Sequence, residues 1–154
     1  MSNLALIDNV LNSDFKSKYN TLTEASAQMS IDCITENCQS FIYNFDIQLN
    51  KSFNGGFFPF FSNSKGVKKR CDYIIFSELN NQLFALIIEL KAGQQGAMAQ
   101  LNAGECFVDY VIDTVNRVNK TSLTIEKRKI SIREFERKKK TKLKEIEYDQ
   151  NNHH

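Results

Sequence analysis

Residues 71–93 read CDYIIFSELNNQLFALIIELKAG, two apolar runs joined by the pair Asn80-Asn81. Asn tolerates the left-handed backbone conformation that a two-residue hairpin turn requires, so the stretch predicts a strand, a tight turn and a second strand. A turn centred on this pair places Ile74 opposite Ile87, which gives the hairpin an apolar face. The second run is apolar on both faces and therefore predicts a central strand of a sheet.

The same register brings charged residues together at the end of the hairpin. Asp72 lies opposite Glu89, and Lys91 shares the face of Glu89 because side chains alternate along a strand. Opposed carboxylates with Cβ atoms about 5 Å apart repel each other. Mg²⁺ removes this repulsion, since it takes carboxylate oxygens and keeps waters. Lys91 can orient or deprotonate such a water, or stabilise negative charge. The three residues therefore indicate phosphodiester hydrolysis.

A simpler interpretation of these charges is an exposed strand end. Glu89 and Lys91 would then form a surface ion pair, and Asp72 would only begin its strand. This alternative assigns no chemistry to the three residues.

Hydrophobic periodicity predicts the elements around the hairpin. In order, they are a weak helical pattern within the first twenty residues, a helix over about 22–38, a strand over 41–49, an aromatic loop, the hairpin strands, a helix over about 95–118 and a strand over 122–126. The second helix is introduced by a capping-box pair, Thr21 and Glu24. The tail has apolar residues at roughly helical spacing: Ile132, Phe135, Leu143 and Ile146. This order predicts a single α/β domain over 1–154, with a mixed central sheet flanked by helices.

Asp72, followed on the next strand by Glu89-Leu90-Lys91, resembles the motif of the PD-(D/E)xK nuclease superfamily, which has the restriction-endonuclease-like fold. The resemblance covers about residues 22–126, where the order of helix, three strands, helix and strand is similar to that family's αβββαβ core. Residues from about 127 to 150 then form a basic extension. The resemblance implies that Asp72 and Glu89 bind catalytic Mg²⁺ or Mn²⁺ and that Lys91 is the catalytic lysine.

Two further catalytic positions are implied by this resemblance. Many members place a Glu of the first helix near the metal; Glu24 is the candidate here and Glu36 the reserve. Gln100, in AMAQL, is similar to the glutamine that often follows the E-x-K strand. Cys71 stands where the family name has Pro, and Gly104 stands where RecB-like members carry Tyr. These departures leave the subfamily open.

Basic residues flank the predicted site. The segment SKGVKKR brings Lys65, Lys68, Lys69 and Arg70 close to Asp72 in sequence. Their side chains could hold the phosphates of a nucleic acid near the metal. An ordinary solvated loop would have the same composition.

Charge and aromatic residues are unevenly distributed along the chain. Residues 117–144 carry 12 Lys or Arg and 3 Glu, whereas the whole chain has a net charge of +2. This asymmetry suggests a surface that faces a polyanion, although a solvated lysine-rich helix is compatible with it. The stretch FNGGFFPFF at 53–61 could stack on unpaired bases or close one end of the core.

Composition excludes several kinds of chemistry. The only histidines are His153 and His154, so catalysis by Ser-His-Asp or Cys-His groups and a His-ligated zinc are not expected. The four cysteines form no C-x-x-C pair and are expected to be free and mostly buried. Neither a signal-peptide pattern nor a long apolar span is present, which predicts a cytoplasmic protein that does not bind membranes.

Three functions are compatible with these patterns. The first is a metal-dependent nuclease, with DNA favoured over RNA as its partner. The second is a catalytically inactive module of the nuclease fold that binds nucleic acid or a protein, since a fold alone does not secure chemistry. The third is an α/β domain that its lysine-rich tail keeps soluble. The fold and the small size suit a homodimer or a subunit of a larger defence or repair system.

Overall fold

A computed structural model of the chain describes residues 2–34, 37–45, 61–62, 64–92 and 96–133. The elements, in chain order, are α1 (Asn3–Val10), a 3₁₀ turn (Ser13–Phe15), β1 (Thr21–Glu24), β2 (Met29–Asp32), β3 (Gln39–Asn44), β4 (Tyr73–Leu79), β5 (Gln82–Lys91), α2 (Met98–Asn119) and β6 (Glu126–Arg133). The coarse prediction of a mixed α/β fold is confirmed. No helix within the described ranges is long and apolar enough to cross a membrane.

The β4–β5 hairpin has the predicted turn and register. Asn80 and Asn81 have φ values of 50° and 65°, the left-handed conformation that a tight hairpin turn needs at both central positions. Ile74 pairs with Ile87 in the antiparallel ladder. The hairpin prediction is therefore confirmed, and the register places β5 with its apolar residues facing both sides of the sheet.

β5 lies in the middle of a four-stranded sheet with the order β3-β4-β5-β6. β3, β4 and β5 are antiparallel neighbours, whereas β6 pairs with β5 in parallel. A parallel neighbour requires a crossover connection, and α2 provides it. The prediction that the third strand is central is confirmed, as is the helix predicted over about 95–118, which corresponds to α2. The weak helical pattern within the first twenty residues corresponds to the shorter α1.

The two faces of the sheet bury separate apolar clusters. One face packs against α1 and α2, and its fully buried side chains include Ile7, Phe76, Ile87, Leu101 and Val108. The opposite face is covered by the β1–β2 hairpin, and its core consists of Leu22, Ile42, Tyr73, Ile75, Ile88 and Leu90. Since side chains alternate along β5, Glu89 and Lys91 belong to the helix-covered face.

The helix predicted over 22–38 is wrong, because β1 and β2 form an antiparallel hairpin there. The apolar spacing of four residues that suggested a helix is also a multiple of two, so it fits the alternation of a strand. Met29 and Ile31 pack against the apolar cluster on that face of the sheet. Glu24 does not cap a helix; its carboxylate accepts hydrogen bonds from the N–H and hydroxyl of Ser26, which closes the turn after β1.

The strand predicted over 122–126 is also wrong, since the structure has β6 at Glu126–Arg133. The helical spacing suggested for the tail fails at Ile132, which packs under the sheet on the side of the β1–β2 hairpin. The strand was hard to recognise in the sequence, because Lys127 and Lys129 precede its isoleucines and suggest a solvated tail. The first seven residues of the predicted basic extension therefore belong to the sheet.

Smaller predictions differ in extent. The strand predicted over 41–49 is β3, and residues 46–50 lie outside the described ranges. The cysteines are free as predicted, but only Cys71 is buried, while Cys106 is exposed. The aromatic stretch up to residue 60 and the tail after residue 133 are also outside the described ranges.

Helix α2 approaches the sheet closely at Gly104. A Cβ atom added there would lie 2.6 Å from Cys71 Sγ and 2.6 Å from Ile87 Cγ2, both buried. Real Cβ atoms do not tolerate such contacts, so α2 can sit this near to β5 only because position 104 lacks a side chain. This close approach sets the distance between α2 and the strand that carries Glu89.

We therefore expect Gly104→Ala to destabilise the fold. Overpacking a core costs about 1–3 kcal/mol, which outweighs the gain in helix propensity of about 1 kcal/mol. Thermal unfolding should show a Tm several degrees below that of the wild type. Cys106→Ala, on the exposed side of the same helix, is the matched control and should leave Tm unchanged or slightly raised. A Gly104→Ala protein as stable as this control would contradict the close packing.

Candidate active site

Glu89 is a buried carboxylate near the end of the central strand. Its relative exposure is 3%, and its Oε2 atom has no hydrogen-bond partner among the described residues. The pKa of Glu89 is raised to about 7, mainly by burial and in smaller part by the nearby charge of Asp72, while Lys91 acts in the opposite direction. An unpartnered carboxylate oxygen in a core is costly and needs an explanation.

Lys91 provides the counter-charge to Glu89. Its Nζ lies 2.7 Å from Glu89 Oε1, and the Lys91 side chain is 14% exposed. The two residues are one strand step apart on the same face, as the sequence predicted. The ion pair is present, but it is not at an exposed strand end, so the surface interpretation of Glu89 is wrong.

Asp72 lies next to Glu89 but immediately before β4. The last pair of the β4–β5 ladder is Tyr73 with Ile88, so Asp72 stands one step beyond it. Its Oδ2 atom accepts a hydrogen bond of 2.6 Å from the N–H of Leu90, and its backbone N–H donates to the carbonyl of Ile88 at 3.2 Å. The carboxylate thus takes the place of a ladder carbonyl and holds β5 at the residue that follows Glu89.

Glu24 lies on a strand and not on the predicted first helix. It is half-buried at the end of β1, where hydrogen bonds from Ser26 lower the pKa of its carboxyl and the positive charge of Lys91 contributes in the same direction. Glu24, on the hairpin side of the sheet, is therefore close enough to Lys91 for an electrostatic interaction. Its reserve, Glu36, lies outside the described residues.

Gln100 lies in the first turn of α2, the helix that follows the E-x-K strand. It is half-buried, and its backbone N–H donates to the carbonyl of Ala97 at 3.1 Å. Within the described ranges its side chain does not hydrogen-bond to Glu89, whose Oε2 stays unpartnered. The helix position is as predicted, and no hydrogen bond joins Gln100 to Glu89 Oε2 among the described residues.

The basic segment before Asp72 forms a turn on the surface. Lys65 and Lys69 are exposed, while Lys68 and Arg70 are half-buried. The turn is closed by a hydrogen bond from the N–H of Lys69 to the carbonyl of Gly66, whose φ is 87°. The ammonium groups of Lys65 and Lys69 are thus exposed to solvent on this side of the hairpin.

Sequence reasoning missed a second polar group, which lies between β6 and α2. Lys129 is 6% exposed, and its Nζ lies 2.6 Å from Glu105 Oε2 and 3.0 Å from Asn102 Oδ1. Lys127 Nζ lies 2.6 Å from Asp109 Oδ1. The alternation of EKRKISIR in β6, with lysines on one face and isoleucines on the other, was the signal that could have revealed these contacts.

Hydrogen bonding within this group affects the ionisation of Lys127. Burial works against the charged form, but the carboxylates of Asp109 and Glu105 outweigh it and raise the pKa of Lys127. Lys127 is therefore held in its charged form, and both lysines are paired with carboxylates of α2. They fix α2 against β6 and so support the helix that covers Glu89.

The carboxylates of Asp72 and Glu89 are suitable donors for a hard cation. Mg²⁺ is commonly held by one or two carboxylates and completes its shell with waters. Glu89 Oε2 accepts no hydrogen bond from the described part of the chain, so this oxygen could bind a ligand. No group of three or more His, Cys, Asp or Glu side chains arranged for a metal occurs among the described residues. Asp72 and Glu89 are therefore the two candidate carboxylate donors at this end of the hairpin.

Comparisons with known proteins return no match to this chain. No family model, no curated protein and no solved structure matches it. The function of the chain is therefore inferred from the geometry of Asp72, Glu89 and Lys91 and from the chemistry that these groups can perform.

The raised pKa of Glu89 predicts a specific dependence of stability on pH. The ordinary value is 4.5 and the folded value about 7, so between these values the folded state binds the proton that the unfolded state releases. Stability therefore falls as the pH rises from about 4.5 to about 7 and then levels off. In Glu89→Gln this contribution disappears, because the amide does not titrate. Thermal unfolding across this range, without divalent metal, measures the difference.

A control separates this effect from the background of other carboxyl groups. Glu126→Gln alters a half-buried carboxylate that pairs with Arg128 and should keep the pH trend of the wild type. If wild type and Glu89→Gln lost stability in parallel over the same range, Glu89 would not carry the raised pKa.

Proposed function

We propose that this protein is a metal-dependent nuclease that hydrolyses phosphodiester bonds at Asp72, Glu89 and Lys91. The observation that carries the proposal is the buried Glu89 carboxylate with one oxygen paired to Lys91 and the other oxygen without a partner. A perturbed carboxylate beside a second acid and a lysine is typical of a functional site. A purely structural core would be more stable with an apolar side chain at this position.

The order of the elements around the site supports the proposal. β3, β4 and β5 form an antiparallel meander, α2 crosses over, and β6 returns parallel to β5. This corresponds to the strand, helix and strand part of the core that the resemblance implies. The first core helix of that resemblance does not lie at 22–38, and α1 is the helix that precedes the meander, packed with α2 on the face that carries Glu89.

Asp72 and Glu89 would hold the cation. When bound, it would activate water as a Lewis acid and neutralise charge on the phosphate. Asp72 offers a carboxylate that is already fixed by Leu90, so its position does not depend on the ligand. Glu89 offers its free Oε2, and a positive charge there would favour the ionised carboxylate over the neutral acid.

Lys91 is the residue that would act on the reacting groups. Its ammonium lies beside Glu89, and the Lys91 side chain is 14% exposed. From there it can orient the attacking water, or donate hydrogen bonds to the phosphate oxygens as negative charge develops. The chemistry requires no histidine, which agrees with a chain whose only two histidines are His153 and His154.

The surroundings of the site favour nucleic acid as the substrate. The exposed Lys65 and Lys69 lie on the turn that leads into Asp72. Basic side chains attract phosphates without regard to sequence, so this surface suits a polynucleotide. The exposed Phe61 precedes the same turn and could stack on an unpaired base. DNA is the more favoured substrate by the resemblance.

A second candidate function is nucleic-acid binding without cleavage by the same fold. One oxygen of Asp72 already bonds Leu90, and no third acidic ligand accompanies Asp72 and Glu89 within the described ranges. In this case the lysines would bind phosphates, and no metal would be needed. Nucleic acid bound equally well in EDTA and in Mg²⁺, without turnover, distinguishes this function from the first.

Substitution of the site residues should separate catalysis from folding. Lys91→Ala and Asp72→Asn are each expected to reduce cleavage at least about 100-fold, the usual contribution of a catalytic proton-transfer group or of a charge-stabilising group. Asp72→Asn keeps an oxygen that can accept the hydrogen bond from Leu90 N–H. A loss of cleavage in this variant therefore reflects the missing negative charge and not a broken strand contact. Cleavage of single-stranded and duplex DNA and RNA in Mg²⁺ and Mn²⁺ provides the measurement.

Matched controls for these variants lie away from the site. Lys18→Ala and Asp113→Asn change exposed residues of the same types and should cleave at the wild-type rate. Equal cleavage by wild type, Lys91→Ala and Asp72→Asn would overturn the proposed function.

Metal binding can be tested without activity. A cation bound only to the folded state at about 100 times its Kd adds about 2.7 kcal/mol of stability, which corresponds to a rise in Tm of about 5–10 °C for a chain of this size. Mn²⁺ should produce this shift in the wild type and in Asp113→Asn, but not in Glu89→Gln or Asp72→Asn. The shift should be larger at pH 8 than at pH 6, because the cation competes with the proton of Glu89.

A further inference from the structure

We infer that Arg133 is the phosphate-binding residue of the proposed site, contributed by β6 beside Lys91. This inference rests on the proposed function for its place in catalysis. Its own basis is the parallel register of β5 and β6, which pairs Lys91 with Arg133 and Glu89 with Ser131. Neither the E-x-K motif nor the basic loop before Asp72 indicates this residue.

The face on which Arg133 lies follows from its neighbours in β6. Lys127 and Lys129 reach carboxylates of α2, so the odd-numbered residues of β6 face the helix side. Ile130 and Ile132 pack on the opposite cluster. Arg133 therefore shares the face of Glu89 and Lys91, and neighbouring strands are about 4.8 Å apart.

The charge of Arg133 is available, in contrast with the other cations on this face. Lys127, Lys129 and Lys91 each pair with a carboxylate. Arg133 is half-buried and has no ion pair or hydrogen bond with any side chain in the described part of the chain. A guanidinium so placed presents several N–H donors beside Lys91.

Guanidinium is well suited to a phosphodiester group. Its planar N–H donors match two phosphate oxygens at once, which Lys cannot do. With Lys91 directed to Glu89, Arg133 would hold the non-bridging oxygens of the nucleic-acid backbone and so place the phosphorus near the carboxylates. The ligand class is a polynucleotide phosphate, held at the end of β6.

Binding measurements distinguish this role from a general electrostatic one. A fluorescently labelled oligonucleotide in Ca²⁺, titrated by anisotropy, should bind about tenfold more weakly to Arg133→Ala than to wild type, the loss typical of one charge-assisted contact. The slope of log Kd against log salt should fall by about 0.9, the value for one phosphate contact. Arg133→Lys should recover the slope but only part of the affinity.

Arg128→Ala is the matched control, because Arg128 lies in the same strand on the hairpin side and pairs with Glu126. It should leave Kd and the salt slope within twofold of the wild type, and the Tm of Arg133→Ala should confirm that it folds. If wild type cleaves but Arg133→Ala matches Arg128→Ala in Kd and slope, the inference is overturned and the proposed function stands. If oligonucleotide binding depends on Arg133 but the wild type does not cleave, the phosphate contact stands and the nuclease proposal fails.

Discussion

The register of the β4–β5 hairpin is the constraint on which the rest of the structure depends. Asn80 and Asn81 adopt the left-handed conformation together, and this fixes a two-residue turn and one pairing of the strands. A slip of one residue would turn Glu89 and Lys91 to the hairpin side and expel Ile87 from the helix-covered core. The same register leaves Asp72 one step beyond the ladder, where its carboxylate holds the N–H of Leu90.

Glu89 is costly for stability, and this is what makes it informative. A carboxylate with 3% exposure and one unpartnered oxygen resists ionisation, as its pKa of about 7 expresses. The ion pair with Lys91 compensates only part of the free-energy cost of desolvation. A buried ion pair rarely contributes more to folding stability than apolar side chains at the same positions would. The close packing of Gly104 on Ile87 and Cys71 holds α2 firmly over this strand, so the site is built on rigid elements.

The sequence predicted correctly those elements whose residue pattern fits only one local structure. The hairpin, its register and the grouping of Glu89 with Lys91 were predictable, because Asn-Asn between two alternating apolar runs admits few conformations. The region 22–38 was not, since apolar residues four apart fit both a helix and a strand. The burial of Glu89 was not visible either, because it depends on α2 lying across the sheet, which involves residues far away in sequence.

The strand β6 shows that lysines read as a solvated segment can be paired within the fold. The lysine-rich segment suggested a free polyanion-binding surface, but Lys127, Arg128 and Lys129 are paired with Asp109, Glu126 and Glu105. These cations are neutralised within the fold and stabilise it. Under the proposed function, the attraction for a polynucleotide comes from cations that make no ion pair among the described residues. At the end of β6 that cation is Arg133, which lies on the helix-covered face next to Lys91 because the parallel register extends to the last described residue of the strand.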